Sequence, residues 1–206
     1  MVLEGLQPGP TLIDQAYEAI LAAIREGRLP PGVRINQDEL AASLRISRQP
    51  VGQALTILKS QGFVRDNGRR GLIVAPLEEH LLRSIYELRE VLDPLAARLA
   101  AERCSPAEAT SGKRFLAAGR KARNDGLDAD MRLHLWVYEV AGNPILTQTM
   151  GIYWNHLRRG IGLLQHTIPK DVWDEHESIV DAIARNDPAA AEKHALLHTH
   201  GAAARL

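Results

Sequence analysis

The chain has 206 residues, of which 45% are hydrophobic, so it can build one large or two small cores. Aromatic residues make up only 4%, so those cores must consist mainly of Leu, Ile, Val and Ala, a composition that favours helices packed on helices. The single cysteine, Cys104, excludes an intrachain disulfide and suits a reducing compartment. There is no signal-peptide pattern at the start and no apolar run of the ~20 residues that a membrane span needs. We therefore expect a cytoplasmic protein that does not enter a membrane.

The first predicted elements form a helix-turn-helix. Apolar residues recur on one face of residues 12–26, which predicts an amphipathic helix. Asn36 is a suitable N-cap for a second helix and Ser47 for a third, while Pro50 falls in a first turn, where a missing N–H costs little. Two short helices joined by a tight turn within residues 36–63 are typical of a motif whose second helix enters a DNA major groove.

A basic hairpin is predicted directly after the third helix. Residues 62–65 and 71–74 have strand-like sequences, and the Asn67-Gly68 pair between them is a strong hairpin signal. The net charge of the whole chain is zero, yet residues 33–77 hold seven basic and three acidic residues. Because phosphate attraction depends on local charge, this region is the expected DNA-binding wing and helix.

Residues 12–76 resemble the GntR family of bacterial transcription regulators. The matching text includes GRLPPGVRI, DELAASLRISRQPV and RRGLIV. The resemblance implies that Arg48 contacts bases or phosphates, that Ser47 touches phosphate, and that the wing around residues 69–71 reaches the minor groove. The full set of candidate DNA-binding residues is Arg34, Ser47, Arg48, Gln49, Gln53, Arg69, Arg70 and Gly71.

Residue 52 departs from the family pattern. The family usually reads P-V-R-E-A-L where this chain has PVGQAL over residues 50–55. Gly52 replaces an expected DNA-contacting arginine on a part of the helix predicted to face outward, and glycine in a helix costs about 1 kcal/mol against alanine. Gln53 has the chemistry to read adenine. We therefore expect Gly52→Arg to tighten DNA binding.

The rest of the chain is predicted to be helical. Breakers such as Ser-Pro and Asn-Pro divide it into separate stretches, and we find no strand-like alternation. The predicted helices cover residues 78–103, 106–124, 127–142, 144–166, 171–186 and 188–204. The expected fold class is thus mainly α, with a winged helix-turn-helix over residues 1–76 followed by a six-helix bundle over residues 77–206.

All eight histidines lie in the predicted bundle, and four acidic or imidazole side chains have suitable spacing for a metal site. Asp130 and His134 are four residues apart and share a helix face, while His176 and His198 lie on the last two helices. One carboxylate with three imidazoles suits zinc, nickel, cobalt, manganese or iron. From spacing alone, these could also be ordinary hydrogen-bonded core histidines. The rival ligands nearby are His194 and His200.

This half resembles the FCD effector domain of the FadR subfamily, and six helices would suit its VanR-like group. The matching segments are residues 85–103, 128–146, 175–183 and 186–198. The resemblance implies a divalent metal ion, with zinc or nickel favoured, and a small carboxylate effector. The implied metal ligands are Asp130, His134, His176 and His198.

Four further side chains are candidates for effector binding. The resemblance places Arg89 in the pocket, where its guanidinium would pair with an anionic effector, although an i, i+4 ion pair with Asp93 explains it otherwise. Asn143 is a second candidate that also suits a helix cap. Trp154 and Arg158 complete the set, with amphipathic packing as their alternative.

Together these features predict a ligand-responsive regulator, which we expect to be a homodimer and a repressor on a palindromic operator. One alternative is a regulator for which the metal ion itself is the signal. The other is a metal-dependent hydrolytic enzyme, which would need a general base near the ion. Glu175 and Glu177 flank His176 in sequence, but a helix should point them away from its face. We therefore do not expect an enzyme.

Overall fold

The computed structural model describes residues 9–68, 71–122, 126–163 and 168–205. These residues fall into two compact units, Met1–Leu77 and Glu78–Leu206. The predicted fold class is confirmed, since a helix-turn-helix unit with a small sheet precedes an all-helical unit. Among the described helices, none combines the length and the apolar character that crossing a membrane requires.

The first unit packs helices against a small antiparallel sheet with the strand order β1-β3-β2. Its elements are α1 (Leu12–Arg25), β1 (Arg34–Ile35), α2 (Gln37–Leu44), α3 (Arg48–Ser60), β2 (Val64–Asp66) and β3 (Leu72–Val74). The helix α1 begins with a capping box between Thr11 and Asp14. It packs on α3, and Leu21, Ile24 and Leu58 are almost fully buried in this core.

The hairpin of β2 and β3 lies close to its predicted position, with Arg65 opposite Ile73. The strand β1 was not predicted, because two residues are too few to show alternation. At the hairpin turn, the backbone N–H of Asn67 donates to the carbonyl of Gly71 over 2.8 Å. The wing residues Arg69 and Arg70 lie outside the described residues.

The caps of α2 and α3 lie where the sequence predicts them. Asn36 accepts a hydrogen bond from the backbone of Asp38 over 3.0 Å, and its amide donates to Glu39 over 2.8 Å. Ser47 occupies the N-cap of α3, but its side chain makes no capping hydrogen bond within the described part of the chain. The predicted cap position is thus correct, and the predicted capping bond is not formed.

The described part of the second unit contains six helices. They are α4 (Glu79–Arg103), α5 (Pro106–Arg120), α6 (Leu127–Ala141), α7 (Pro144–Leu163), α8 (Val172–Ala184) and α9 (Pro188–Ala203). The long helix α4 packs against α6 and α9, and it continues through Pro94, which removes one backbone donor. The alanines of its second half have no exposed surface, so neighbouring helices can approach closely.

Two glycines of α5 make room for two tryptophan rings. A Cβ atom on Gly112 would lie 2.5 Å from the ring of Trp136, and one on Gly119 would lie 2.1 Å from the ring of Trp173. Both distances are far below van der Waals contact, so a side chain at either position would have to displace the tryptophan ring. The ring of Trp173 in turn meets His176 edge to face, with 5.1 Å between the ring centroids.

Candidate functional site

The second unit brings one carboxylate and three imidazoles together from three helices. Asp130 and His134 lie one turn apart on α6, His176 lies on α8 and His198 on α9, and all four are buried. The Asp130 Oδ1 atom is 3.4 Å from His176 Nε2 and 3.9 Å from His134 Nε2. One ligand nitrogen from each of the three histidines lies within 4.8 Å of the others. Tetrahedral zinc ligands lie about 3.4 Å apart, so small side-chain shifts would close this cluster on an ion.

His176 carries the clearest sign that the cluster is built for a ligand. Its side chain is fully buried, and its Nδ1 atom has no hydrogen-bond partner among the residues that the structure describes, while Nε2 has the 3.4 Å contact with Asp130 but no hydrogen bond. A buried polar atom left without a partner costs about 1–3 kcal/mol. An ion bound by His176 would remove part of that cost, so the residues present fit a divalent metal.

The protonation states of the cluster also suit metal binding. Burial holds the pKa values of His134 and His176 well below the ordinary histidine value, and nearby positive groups act in the same direction. Burial raises the pKa of Asp130 to about 6, although His198 and Arg89 act against this. Near pH 7 the cluster therefore offers neutral imidazoles at His134 and His176 and a largely ionised carboxylate, the forms that bind metal ions.

Of the three histidines on α9, it is His198 that belongs to the candidate metal cluster. The side chain of His200 is half exposed and lies 3.6 Å from Glu90, while His194 is not part of the cluster among the described residues. The Nδ1 atom of His198 lies 2.7 Å from a carboxylate oxygen of Glu175. This contact could not be predicted from helix geometry, because it depends on how α8 packs against α9.

Arg89 lies in the same region, buried beside its neighbour Asp93. Its Nε atom donates to Asp93 over 2.9 Å, and Asp93 also accepts from Tyr138 over 2.7 Å and from Thr199 over 3.2 Å. The guanidinium carbon lies 4.6 Å from the ring centroid of Trp154. The Nη2 atom is buried and has no hydrogen-bond partner in the described part of the chain. Thus Arg89 both pairs with Asp93 and keeps a donor for a further acceptor.

A cavity of about 110 Å³ connects Arg89 with the cluster. This is many times the space that one water molecule needs. The polar groups at its wall are Arg89, Asp130, His134, His198 and Arg205. Most of the remaining wall is apolar or aromatic, formed by Leu82, Tyr86, Met131, Trp154, Leu157, Gly160, Ile161, Ile168, Pro169, Val172 and Ala202.

The other predicted effector residues divide into one at the cavity and two elsewhere. Trp154 lines the cavity, and its ring lies 4.8 Å from that of His134. Asn143 instead caps α7, because its side-chain oxygen accepts from the backbone of Ile145 over 3.1 Å. Arg158 forms a partly exposed ion pair with Asp128. Neither Asn143 nor Arg158 lines this cavity, and each has a structural role elsewhere, so their effector roles stay predictions.

The predicted DNA-binding residues of α3 form one exposed group at its start. Ser47, Arg48, Gln49 and Gln53 are exposed. The guanidinium of Arg48 forms an ion pair of 2.8 Å with Asp38 of α2, and both side chains are well exposed. Two predicted contacts lie on the sheet side, Arg34 on β1 and Gly71 before β3, and both are exposed.

Gly52 faces α2 rather than solvent alone, which corrects the expectation from sequence. A Cβ atom at residue 52 would lie 2.7 Å from the side-chain nitrogen of Gln37. That nitrogen donates to the backbone carbonyl of Arg48 over 2.6 Å. Gln37 therefore occupies the space beside Gly52 and holds the first turn of α3.

We still expect Gly52→Arg to tighten DNA binding, at little cost in stability. The flexible end of Gln37 must move, and the loss of its exposed hydrogen bond lowers the folding stability by about 0.5–1.5 kcal/mol. Arginine has a better helix propensity than glycine, which raises the folding stability by about 0.8–1 kcal/mol. A new phosphate contact should also steepen the slope of log affinity against log salt concentration by about one. Fluorescence anisotropy at several salt concentrations measures both effects.

The control for this change is Gly52→Ala. It introduces the same Cβ atom and displaces Gln37 equally, but it adds no charge, so its salt slope should match that of the wild type. Affinity that is unchanged or weaker in Gly52→Arg would contradict the placement of this helix face on DNA.

Comparison with known proteins gives the same division into two parts. Residues 12–74 match the family model described as bacterial regulatory proteins, gntR family, and residues 84–201 match the FCD domain. A probable D-xylose utilization operon transcriptional repressor of Paenarthrobacter nicotinovorans is 31% identical over 194 residues, which cover 91% of this chain and 85% of that protein. These relatives are regulators rather than enzymes.

Two further similarities also point to a transcription regulator with this fold. The Nta operon transcriptional regulator of Aminobacter aminovorans is 34% identical over 124 residues, and the match spans 58% of this chain and 59% of that protein. The solved structure of E. coli McbR/YncC has the same fold, with a TM-score of 0.80 at 20% identity over 95% of this chain and 96% of that one. The chain therefore belongs to the gntR family of DNA-binding transcription regulators, in the FadR-like subfamily that carries an FCD domain.

Proposed function

We propose that this regulator is a repressor that releases its operator when a small organic acid binds in the cavity of the second unit. The observation that carries the proposal is a cavity lined both by a buried, incompletely paired arginine, Arg89, and by the cluster residues Asp130, His134 and His198. We further propose that the second unit forms a homodimer, that two winged helices read a palindromic operator, and that the protein acts in the cytoplasm. A similar protein named as a probable repressor supports the direction of the response.

A divalent ion would be held by Asp130, His134, His176 and His198. Imidazole and carboxylate ligands suit zinc and nickel, and the buried nitrogens of His176, which make no hydrogen bond within the described part of the chain, support an ion at this place. When bound, the ion supplies a Lewis acid to which a carboxylate or hydroxyl oxygen of the effector can attach. The protein contributes the fixed positions of the four side chains on three helices.

Arg89 would select an acid over a neutral molecule. Its Nη2 atom has no partner among the described residues, and an arginine donates readily to a carboxylate oxygen. Asp93 and the ring of Trp154 hold the guanidinium in place, so little side-chain entropy is lost on binding. Because most of the cavity wall is apolar, we propose a compact carboxylate with an apolar body.

Effector binding must change DNA affinity through a difference between two states. An acid with equal affinity for the DNA-binding and the released arrangement would shift nothing, however tightly it bound. The acid must therefore bind the released state more tightly. A hundredfold preference corresponds to about 2.7 kcal/mol of coupling.

The test is a titration of DNA binding with the full chain in three forms. Protein stripped of metal, loaded with zinc or nickel, and loaded with metal plus an acid is mixed with DNA from the region upstream of its own gene. The acids are a panel of small mono-, di- and tricarboxylates, with the matching amides as neutral controls. We expect one or more apolar monocarboxylates to release the DNA and the amides to have no effect.

Each other outcome selects a different function. If the metal alone switches DNA binding and no acid changes it further, the ion itself is the signal. Turnover of a carboxylate ester or amide by the loaded protein would support the hydrolytic alternative. DNA binding that neither metal nor any acid affects would contradict the proposal.

A further inference from the structure

We infer that Glu175 is a positioning residue that orients His198 toward the metal cluster. The inference rests on the proposed metal site and extends it to a residue outside the ligand set. The contact that carries it is the short distance of 2.7 Å between Glu175 Oε2 and His198 Nδ1. It joins two helices, since Glu175 lies on α8 and His198 on α9.

The hydrogen bond determines which nitrogen of His198 is left for a ligand. An ionised carboxylate accepts and cannot donate, so this contact favours the tautomer of His198 that carries its proton on Nδ1. The lone pair then lies on Nε2, on the other side of the ring. The same ring lies close to both partners in the cluster, with centroids 4.5 Å from His176 and 5.2 Å from His134.

The carboxylate of Glu175 is itself held in place. Arg205 donates to Oε1 and to Oε2 over 3.1–3.3 Å, so the guanidinium contacts both oxygens. A charged, doubly held acceptor restricts the His198 ring more strongly than a neutral acceptor would.

The arrangement matches a general feature of metal sites in proteins. Ligating histidines usually donate their other ring N–H to a carboxylate or carbonyl, and loss of that partner typically weakens metal affinity by about 10- to 100-fold. We therefore expect Glu175→Ala to lose about 100-fold in zinc affinity. Glu175→Gln, which keeps a neutral acceptor, should lose about tenfold.

The chain offers a matched control two residues away. Glu177 lies on the same helix, is exposed, and pairs with Arg120 over 2.9 Å. Glu177→Ala therefore removes a charge of the same kind at a similar place, and among the described residues Glu177 makes no contact with the cluster. Its zinc affinity should equal that of the wild type.

The experiment measures two properties of the full-length protein. Zinc affinity is obtained by competition with a chromophoric chelator, and the tautomer of His198 is obtained from ¹⁵N NMR of the metal-free protein. We expect His198 to carry its proton on Nδ1 in the wild type and in Glu177→Ala, and to populate the other tautomer in Glu175→Ala. A residue that only supports the fold would lower the melting temperature but would not move the tautomer.

The outcomes separate this inference from the metal proposal. If wild-type protein binds zinc and both Glu175 variants bind it equally well, the positioning role is wrong and the metal site stands. If the metal-free wild type carries the His198 proton on Nε2, the inference is also wrong. If wild-type protein binds no divalent ion, the proposed metal site fails, and the positioning role toward a metal fails with it.

Discussion

Asp93→Asn should lower the free energy of unfolding by about 3–5 kcal/mol, because it leaves a buried guanidinium without its counter-ion. Arg89 is 3% exposed, and Asp93 is its ion-pair partner. The same carboxylate accepts from Tyr138 and Thr199, so an amide in its place directs an N–H toward at least one existing donor. Urea denaturation followed by circular dichroism measures the change.

The control is Glu102→Gln on the same helix. Glu102 pairs with Arg98 over 2.7 Å with the same i, i+4 spacing, but both side chains are more than a third exposed. Such a pair contributes about 0.2–1 kcal/mol at most. If Asp93→Asn and Glu102→Gln destabilise the protein equally, the burial of the Arg89 pair has no energetic consequence and our account of the effector arginine is wrong.

The second large effect is expected from His134→Ala combined with His176→Ala, which should abolish bound metal while the protein remains helical. Two of the three imidazoles are lost, and the remaining groups cannot hold an ion tightly. Metal analysis of dialysed protein gives the stoichiometry. Zinc at 100 times its dissociation constant stabilises a binding protein by about 2.7 kcal/mol, and the double variant should lose that increment in a thermal melt.

The matching control is His194→Ala combined with His200→Ala. These residues lie on the same helix as His198 but outside the described cluster, so metal content should stay at the wild-type level. Metal retained at full stoichiometry by the first double variant would contradict the ligand set. Loss of helix signal in that variant would instead show that the two histidines are needed for folding.

Much of the fold could be predicted from local sequence. The helices α4 to α9 begin and end close to the predicted positions, because Pro, Gly and Asn-Asp breakers lie between apolar stretches with helical spacing. The hairpin also lies near its predicted place because the Asn67-Gly68 turn is a strong local signal. By contrast, β1 depends on pairing with β3, a contact between distant residues that no local pattern of two residues can reveal.

The side chains around the cavity were harder to predict. Helical spacing placed Asp130 and His134 on one face, since that follows from the geometry of a single helix. The contact of Glu175 with His198 depends on how α8 and α9 cross, and crossing angles do not follow from residue spacing. The contact of Gln37 with Gly52 has the same origin, because it depends on the approach of α2 to α3.

The glycines of α5 affect the cavity indirectly, through the tryptophan rings that pack on them. Any side chain at Gly119 must displace Trp173, whose ring contacts His176. If a small acid releases the protein from DNA as we propose, a random-mutation screen for cells that no longer respond to that acid should yield alleles in α5, although none of its residues lines the cavity. Such alleles would arise by single nucleotide changes at a glycine codon. Whether they are dominant or recessive would depend on whether an oligomer of mutant and wild-type chains still responds.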